Sequence, residues 1–195
     1  MRQIILASAS PRRKELLRQL IGDNFKVVES SYHEKPQPEM KPLEFVIYNS
    51  GEKAREVASV TSHGIVIGAD TVVLCDGEIL GKPHTEDKAR EMLLQISGKR
   101  VKVITGLTVI DIDSKIQSSA SETTSVTIKK MSGAEIEAYV KTKEPIDKAG
   151  AFAIQGKGAI IVEKIDGDYF NVVGLPLFEL NKMLYEFGID VLEIV

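Results

Sequence analysis

Apolar and polar positions recur along this chain with two periods, and the changes of period mark its elements. Ile4 to Ala7 is a short apolar run that predicts a buried strand. Pro11 to Leu20 sets Leu16, Leu17 and Leu20 on one side of a helix. Phe25 to Val28 predicts a second strand. The polar stretch Tyr32 to Pro42, with Pro36 and Pro38 inside it, predicts a loop. Leu43 to Ala58 has helical spacing, with Leu43, Ile47, Ala54 and Ala58 on one stripe. Ile65 to Cys75 is rich in Val and Ile, the pattern of a central strand. Thr85 to Ile96 predicts a helix, with Thr85 as N-cap and Asp87 in its first turn. Val101 to Asp111 and Ser119 to Lys129 predict strands paired through a turn near Asp113-Ser114. A capped helix from Ser132 to about Thr142, a strand from Ala159 to Ile165, a helix from Leu177 to Phe187 and a final strand from Val191 to Val195 complete the pattern.

Strands alternate with helices, except that two neighbouring strands have no helix between them. That combination predicts an α/β fold, a mixed twisted sheet flanked by helices. The 195 residues fit one domain or two small lobes around a central cleft. The formal net charge is −3. Wrapping long nucleic acid needs a basic excess, because each phosphate contact needs a cation, so that class is excluded. A nucleotide ligand here would be a small molecule in a local basic pocket. The one cysteine, Cys75, lies in an apolar stretch and predicts a buried thiol in a reducing compartment. The apolar run at Ile4-Ile5-Leu6 is too short for a signal peptide, and no run reaches transmembrane length. The expectation is a cytoplasmic protein with no membrane partner.

Ser8-Ala9-Ser10-Pro11-Arg12-Arg13 ends a strand and opens a helix. Ser10 suits the N-cap and Pro11 the first helical position, and the free amides of such a turn can hold an anion. Arg12 and Arg13 oppose the helix dipole unless a bound phosphate reverses the sign; otherwise both face water. Asp70, within Gly68-Ala69-Asp70-Thr71-Val72-Val73, interrupts an apolar strand. A carboxylate there is costly unless paired or metal-bound. It is a catalytic base or a Mg²⁺ ligand, or else a partner of a nearby lysine or an exposed strand end. Lys53 lies on the flank of its helical stripe and either reaches a cleft or snorkels to the surface, while Glu52 points away. Lys82, between Gly81 and Pro83, stands on a stiff turn that could hold charge against phosphate or be a plain surface turn. Gln155, in Ile154-Gln155-Gly156-Lys157-Gly158, offers donor and acceptor to a nucleobase edge, or is an exposed glutamine on a glycine-rich hairpin. There is no GxxxxGK[ST] loop, no dinucleotide fingerprint and no CxxC pair, and His33, His63 and His84 lack metal-ligand spacing.

Taken in order, Leu6 to Arg13, Lys53-Ala54, Gly68 to Val73, Gly81-Lys82-Pro83, Thr105-Gly106, Glu144 to Gly150, Ile154 to Gly158 and Tyr169 to Pro176 resemble the Maf family across nearly the whole chain. The resemblance implies one domain over residues 1–195 with two lobes, folded like the inosine triphosphate pyrophosphatases. It implies a cytoplasmic enzyme that cleaves a nucleoside triphosphate between the α- and β-phosphates with a divalent metal, Mg²⁺ first and Mn²⁺ or Co²⁺ as alternatives. Asp70 matches the proton acceptor. Ser8, Arg13, Lys53 and Lys82 match positions that would hold the triphosphate. Arg12, Thr71 and Gln155 match positions linked to substrate choice and resemble the branch acting on dTTP and UTP. Glu34 aligns with a metal-ligand position beside Asp70, although His33 replaces the usual Asp. Asn49-Ser50-Gly51-Glu52 stands where the family usually reads Leu-Ala and two more residues. The family also makes a homodimer an expectation. Two other readings stay open: a nucleotide-binding regulator of septum formation without turnover, and a purine-directed pyrophosphatase.

Overall fold

The structure, a computed structural model, describes residues 2–35, 37 and 39–194. Pro36 and Pro38 of the anticipated loop and Val195 of the anticipated last strand lie outside the described residues. The strands are β1 (Ile4–Ala7), β2 (Phe25–Val27), β3 (Ile65–Cys75), β4 (Glu78–Leu80), β5 (Arg100–Asp111), β6 (Ile116–Ile128) and β7 (Val162–Asp166). The helices are α1 (Pro11–Ile21), α2 (Pro42–Ser59), α3 (Glu86–Ile96), α4 (Gly133–Lys141), α5 (Tyr169–Val173) and α6 (Leu177–Glu186). The hydrogen-bonded order is β2-β1-β3-β5-β6-β7, with β4 on β3, so the sheet is mixed as expected. No helix among the described residues is long and apolar enough to cross a membrane.

The chain divides into two compact units. The first holds Met1–Asp70, Thr105–Glu122 and Gly174–Val195; the second holds Thr71–Ile104 and Thr123–Val173. In the first unit β1 pairs in parallel with β2 and with β3, in the register Ile4 to Phe25 and Ile4 to Ile65. Parallel neighbours need crossovers, and α1 and α2 supply them. Ile5, Ala7, Ala54, Val57, Val66 and Ile110 form one of its cores. α1 turns Leu16, Leu17 and Ile21 inward and packs against α6. Each large side chain so buried contributes about 1.5–3 kcal/mol. The second unit closes its own core around Leu93, Ile96, Val103, Ile128, Ile136 and Phe152.

Two glycines set α2 against the sheet of the first unit. A Cβ at Gly68 on β3 would meet the Ser50 carbonyl at 2.3 Å, and one at Gly106 on β5 would meet the Val46 carbonyl at 2.3 Å. This close approach revises the stripe read from the sequence. The buried face of α2 is Val46, Asn49, Ser50, Gly51, Ala54 and Val57, and Leu43 in the opening turn is 46% exposed. Small and polar side chains line the contact because the backbones leave no room for large ones.

Other differences have local causes. β4 follows an Asp76-Gly77 turn in which both residues have positive φ, 50° and 89°, the conformation that tight hairpins need. The strand expected from Ala159 begins only at Val162, because residues Gly156–Ile160 form a 3-10 turn tied to Glu144. Val191–Glu193 is a 3-10 turn, not a strand, because the Asp190 side chain caps the Leu192 amide at 3.0 Å. The Ser132 helix is capped as anticipated, with Glu135 reaching back to the Ser132 amide at 2.8 Å.

Candidate active site

The first unit gathers most of the anticipated site residues. Ser10 caps α1 and Pro11 opens it. Arg13 does not face water. Its Nε donates to the Gly174 carbonyl at 2.8 Å, and its Nη1 donates to the Ala69 carbonyl at 2.9 Å and to Ser8 Oγ at 3.4 Å. Ser8 is buried at the end of β1 and also accepts the Ser10 amide at 3.2 Å. Arg12 stands close enough to lower the Arg13 pKa, after burial and against the pull of Asp70 and Glu34. A guanidinium so perturbed is still a cation at any working pH.

Asp70 is 3% exposed on β3. Lys53 Nζ donates to its Oδ1 at 2.6 Å and to Glu34 Oε1, also at 2.6 Å. Lys53 is therefore not a snorkelling surface lysine; its side chain is 14% exposed. Its place follows from Gly68, which lets α2 close on β3 two residues before Asp70. Burial pushes the Asp70 carboxyl up, but the Lys53 ammonium, with Arg13 behind it, outweighs it. The net shift is downward, so Asp70 stays ionised although it is buried.

Glu34 sits on the loop after β2, and that loop is fastened to α2. Ser30 Oγ and Ser31 Oγ both donate to the Glu56 carboxylate, and the Tyr32 amide donates to Glu56 Oε2 at 2.9 Å. The two hydroxyl bonds hold the Glu56 pKa below its ordinary value. Two more residues, to which the sequence assigned no role, join this cluster. Asn49 Nδ2 donates to Asp70 Oδ2 at 3.2 Å, and Tyr32 Oη donates to Asn49 Oδ1 at 3.4 Å.

Thr71, Lys82 and Gln155 belong to the second unit. The loop bearing the exposed Lys82 is clamped to the following segment by the Gly150 amide on the Gly81 carbonyl, 3.0 Å, and the His84 amide on the Ile146 carbonyl, 3.1 Å. Gln155 is half-buried beside a turn organised by Glu144, which sequence analysis quoted without a role. Glu144 accepts Tyr139 Oη at 2.8 Å, the Gly158 amide at 2.8 Å and the Lys157 amide at 3.0 Å. Burial pushes the Glu144 carboxyl up, and these donors bring it below its usual value. Gly156 has φ +63°, and a Cβ there would meet Glu144 Oε2 at 2.6 Å, so this turn requires glycine.

As a metal centre the first-unit cluster is open. Among the described residues no three His, Cys, Asp or Glu gather. Asp70 and Glu34 are two adjacent oxygen donors, and Mg²⁺ typically takes one or two carboxylates and completes its shell with water and substrate phosphate. The oxygen donors suit a divalent ion that arrives with a phosphate ligand and takes the place of Lys53 Nζ, which lies 2.6 Å from both carboxylates.

Known proteins resemble this chain over nearly its whole length. The Maf-like protein family matches residues 3–187. A dTTP/UTP pyrophosphatase of Methanosarcina mazei is 58% identical over 193 residues, 99% of this chain and 98% of that one. One of Bacillus cereus is 47% identical over 191 residues, 98% of each. Among solved structures, a HAM1 protein from Coxiella burnetii shares the fold with a TM-score of 0.52 at 16% identity, over 95% of this chain and 100% of that chain. A family match this long, over a chain in which Ser8, Arg13, Lys53 and Asp70 meet around one buried carboxylate, makes the chain a member of the Maf-like protein family.

Proposed function

We propose that this protein is a nucleoside triphosphate pyrophosphatase acting on dTTP and UTP, releasing the monophosphate and pyrophosphate. The observation that carries the reading is Asp70, a buried carboxylate kept ionised beside Lys53 and Arg13. An ionised buried carboxylate is what a base for water activation needs, and the neighbouring cations suit a polyanionic substrate. The near-full-length likeness to dTTP/UTP pyrophosphatases supports hydrolysis and gives the non-catalytic regulator no support.

Asp70 takes the proton of the attacking water. Ser8, Arg13, Lys53 and Lys82 hold the triphosphate, helped by the first-turn amides of α1, and the charge of Arg13, Lys53 and Lys82 offsets that of the departing pyrophosphate. A divalent ion, Mg²⁺ by the hard oxygen donors, would be held by Asp70 and Glu34 and would neutralise phosphate charge. Arg12, Thr71 and Gln155 set base choice. The side-chain amide of Gln155 carries a donor and an acceptor, which suit a pyrimidine edge.

The test is pyrophosphate release from a nucleotide panel with Mg²⁺, comparing wild type with Asp70→Ala. Turnover of dTTP and UTP that the variant loses supports the reading. Binding without turnover in the wild type would hand the case to the regulator, and a preference for purines would overturn the substrate assignment.

A further inference from the structure

Asn49 is 0% exposed, and with Ser50 it breaks the apolar pattern of α2. A buried primary amide is costly unless its donor and acceptor are both met. Here they are met by chemistry that leaves one orientation. A carboxylate can only accept, so the Asn49 nitrogen faces Asp70 Oδ2, 3.2 Å away, and its oxygen faces the Tyr32 hydroxyl at 3.4 Å.

Asn49 and Lys53 are four residues apart and share a face of α2. Lys53 holds Asp70 Oδ1 and Asn49 holds Oδ2, so successive turns of one helix grip both oxygens of the carboxylate. The next residue braces that turn: Ser50 Oγ bonds Thr108 Oγ1 at 2.9 Å, and Thr108 Oγ1 bonds Ser119 Oγ at 3.0 Å. Tyr32 stands two residues before Glu34, on the loop fastened to Glu56.

We propose that Asn49 is a positioning residue for Asp70, and that Tyr32 acts through Asn49 to set the base and the Glu34 loop in register. The inference rests on the reading of Asp70 as the base. Asn49 fixes the rotation of the carboxylate about its last bond, so that the lone pair left for water points one way. Its effect therefore falls on the chemical step rather than on nucleotide affinity.

The experiment measures kcat and KM for dTTP with Mg²⁺ in Asn49→Leu, Asn49→Asp, Tyr32→Phe and the Tyr32→Phe/Asn49→Leu pair, with thermal melts of each. Asn49→Leu should lower kcat about 10- to 100-fold, the range of a hydrogen bond to a charged group, and leave KM within about twofold. Asn49→Asp keeps the volume, but two carboxyls in contact share one proton, so Asp70 is partly neutralised and kcat should fall at least as far. Tyr32→Phe should lower kcat about 2- to 10-fold on its own and add nothing to Asn49→Leu. A folded Asn49→Leu with wild-type kcat overturns the proposal. If that variant does not fold, Asn49→Asp decides in the same way. A Tyr32→Phe effect that multiplies with that of Asn49→Leu overturns the relay. A wild type without turnover fails the hydrolase reading itself, a separate outcome from either.

Discussion

Replacing Lys53 by Met removes one ammonium and keeps most of its stem. In the wild type that ammonium sits 2.6 Å from the Asp70 carboxylate, which is 3% exposed. With an effective dielectric near 20, two unit charges at that distance attract by about 6 kcal/mol, part of which offsets their desolvation. Breaking one half of a buried pair costs about 3–5 kcal/mol. Asn49 and Arg13 remain beside the carboxylate, and the contact to Glu34, which is 47% exposed, adds little. The expected loss is therefore at the lower end, about 2–4 kcal/mol at pH 7.

Its pH dependence has a definite sign. The folded Asp70 pKa lies below its unfolded value, about 3.9, so the wild type holds this stability above that pH and loses it as pH falls through the folded pKa. Without Lys53 burial dominates, the folded pKa moves above the unfolded one, and the variant loses stability as pH rises through the interval. The gap between the two proteins should be widest at pH 7 and above, narrow as pH falls toward 4, and close only below that, as pH passes through the folded Asp70 pKa. Urea unfolding midpoints at several pH values, in chelator, measure it. An equal gap at pH 4 and pH 8, or none at pH 7, would refute the assignment of Lys53 as the counter-ion of Asp70.

Gly68→Ala drives a methyl into the Ser50 carbonyl, 2.3 Å from the built Cβ, so it should cost about 2 kcal/mol or more and lower kcat by displacing Lys53 from Asp70. Paired melts and kinetics would check both effects. At Gly51→Ala the nearest neighbour is the flexible Arg55 guanidinium, at 3.0 Å, so the gain in helix propensity should stabilise the protein by up to about 1 kcal/mol and raise Tm by about 2–4 °C. Glu144→Ala removes the acceptor of three hydrogen bonds and should lower hydrogen-exchange protection at the Lys157 and Gly158 amides by about tenfold or more. Gln155→Ala should relax base choice more than it slows dTTP turnover; the reverse pattern in substrate profiling would remove Gln155 from specificity.

Most elements were legible because their signals are local. Ser132 with Glu135, and Thr85 with the Lys88 amide, are caps written within four residues of sequence. The Asp76-Gly77 hairpin carried an equally local signal that went unread. The buried face of α2 was not local: it is decided by Gly68 and Gly106, far along the chain, which bring backbones together where a helical wheel expects bulky side chains. The site divided in the same way. Asp70 announced itself as a charge in an apolar strand. Whether Arg13 faced a site or water stayed open in its own segment, because its main partners are the carbonyls of Ala69 and Gly174, groups every residue possesses. Asn49 was noticed as a departure, but its meaning depends on residues 32 and 70 meeting it in space.

Glu56 bears on the thermodynamics of ligand capture. One carboxylate on α2 collects two hydroxyls and an amide from three consecutive residues, Ser30, Ser31 and Tyr32. The conformational entropy of that stretch is thus spent during folding rather than at the encounter with a ligand. A cation bound by Glu34 would meet a chain segment already tethered just upstream, so less of its binding free energy would go into ordering the loop. Release of product, by the same logic, returns the segment to its starting state without refolding, and successive turnovers begin from one geometry.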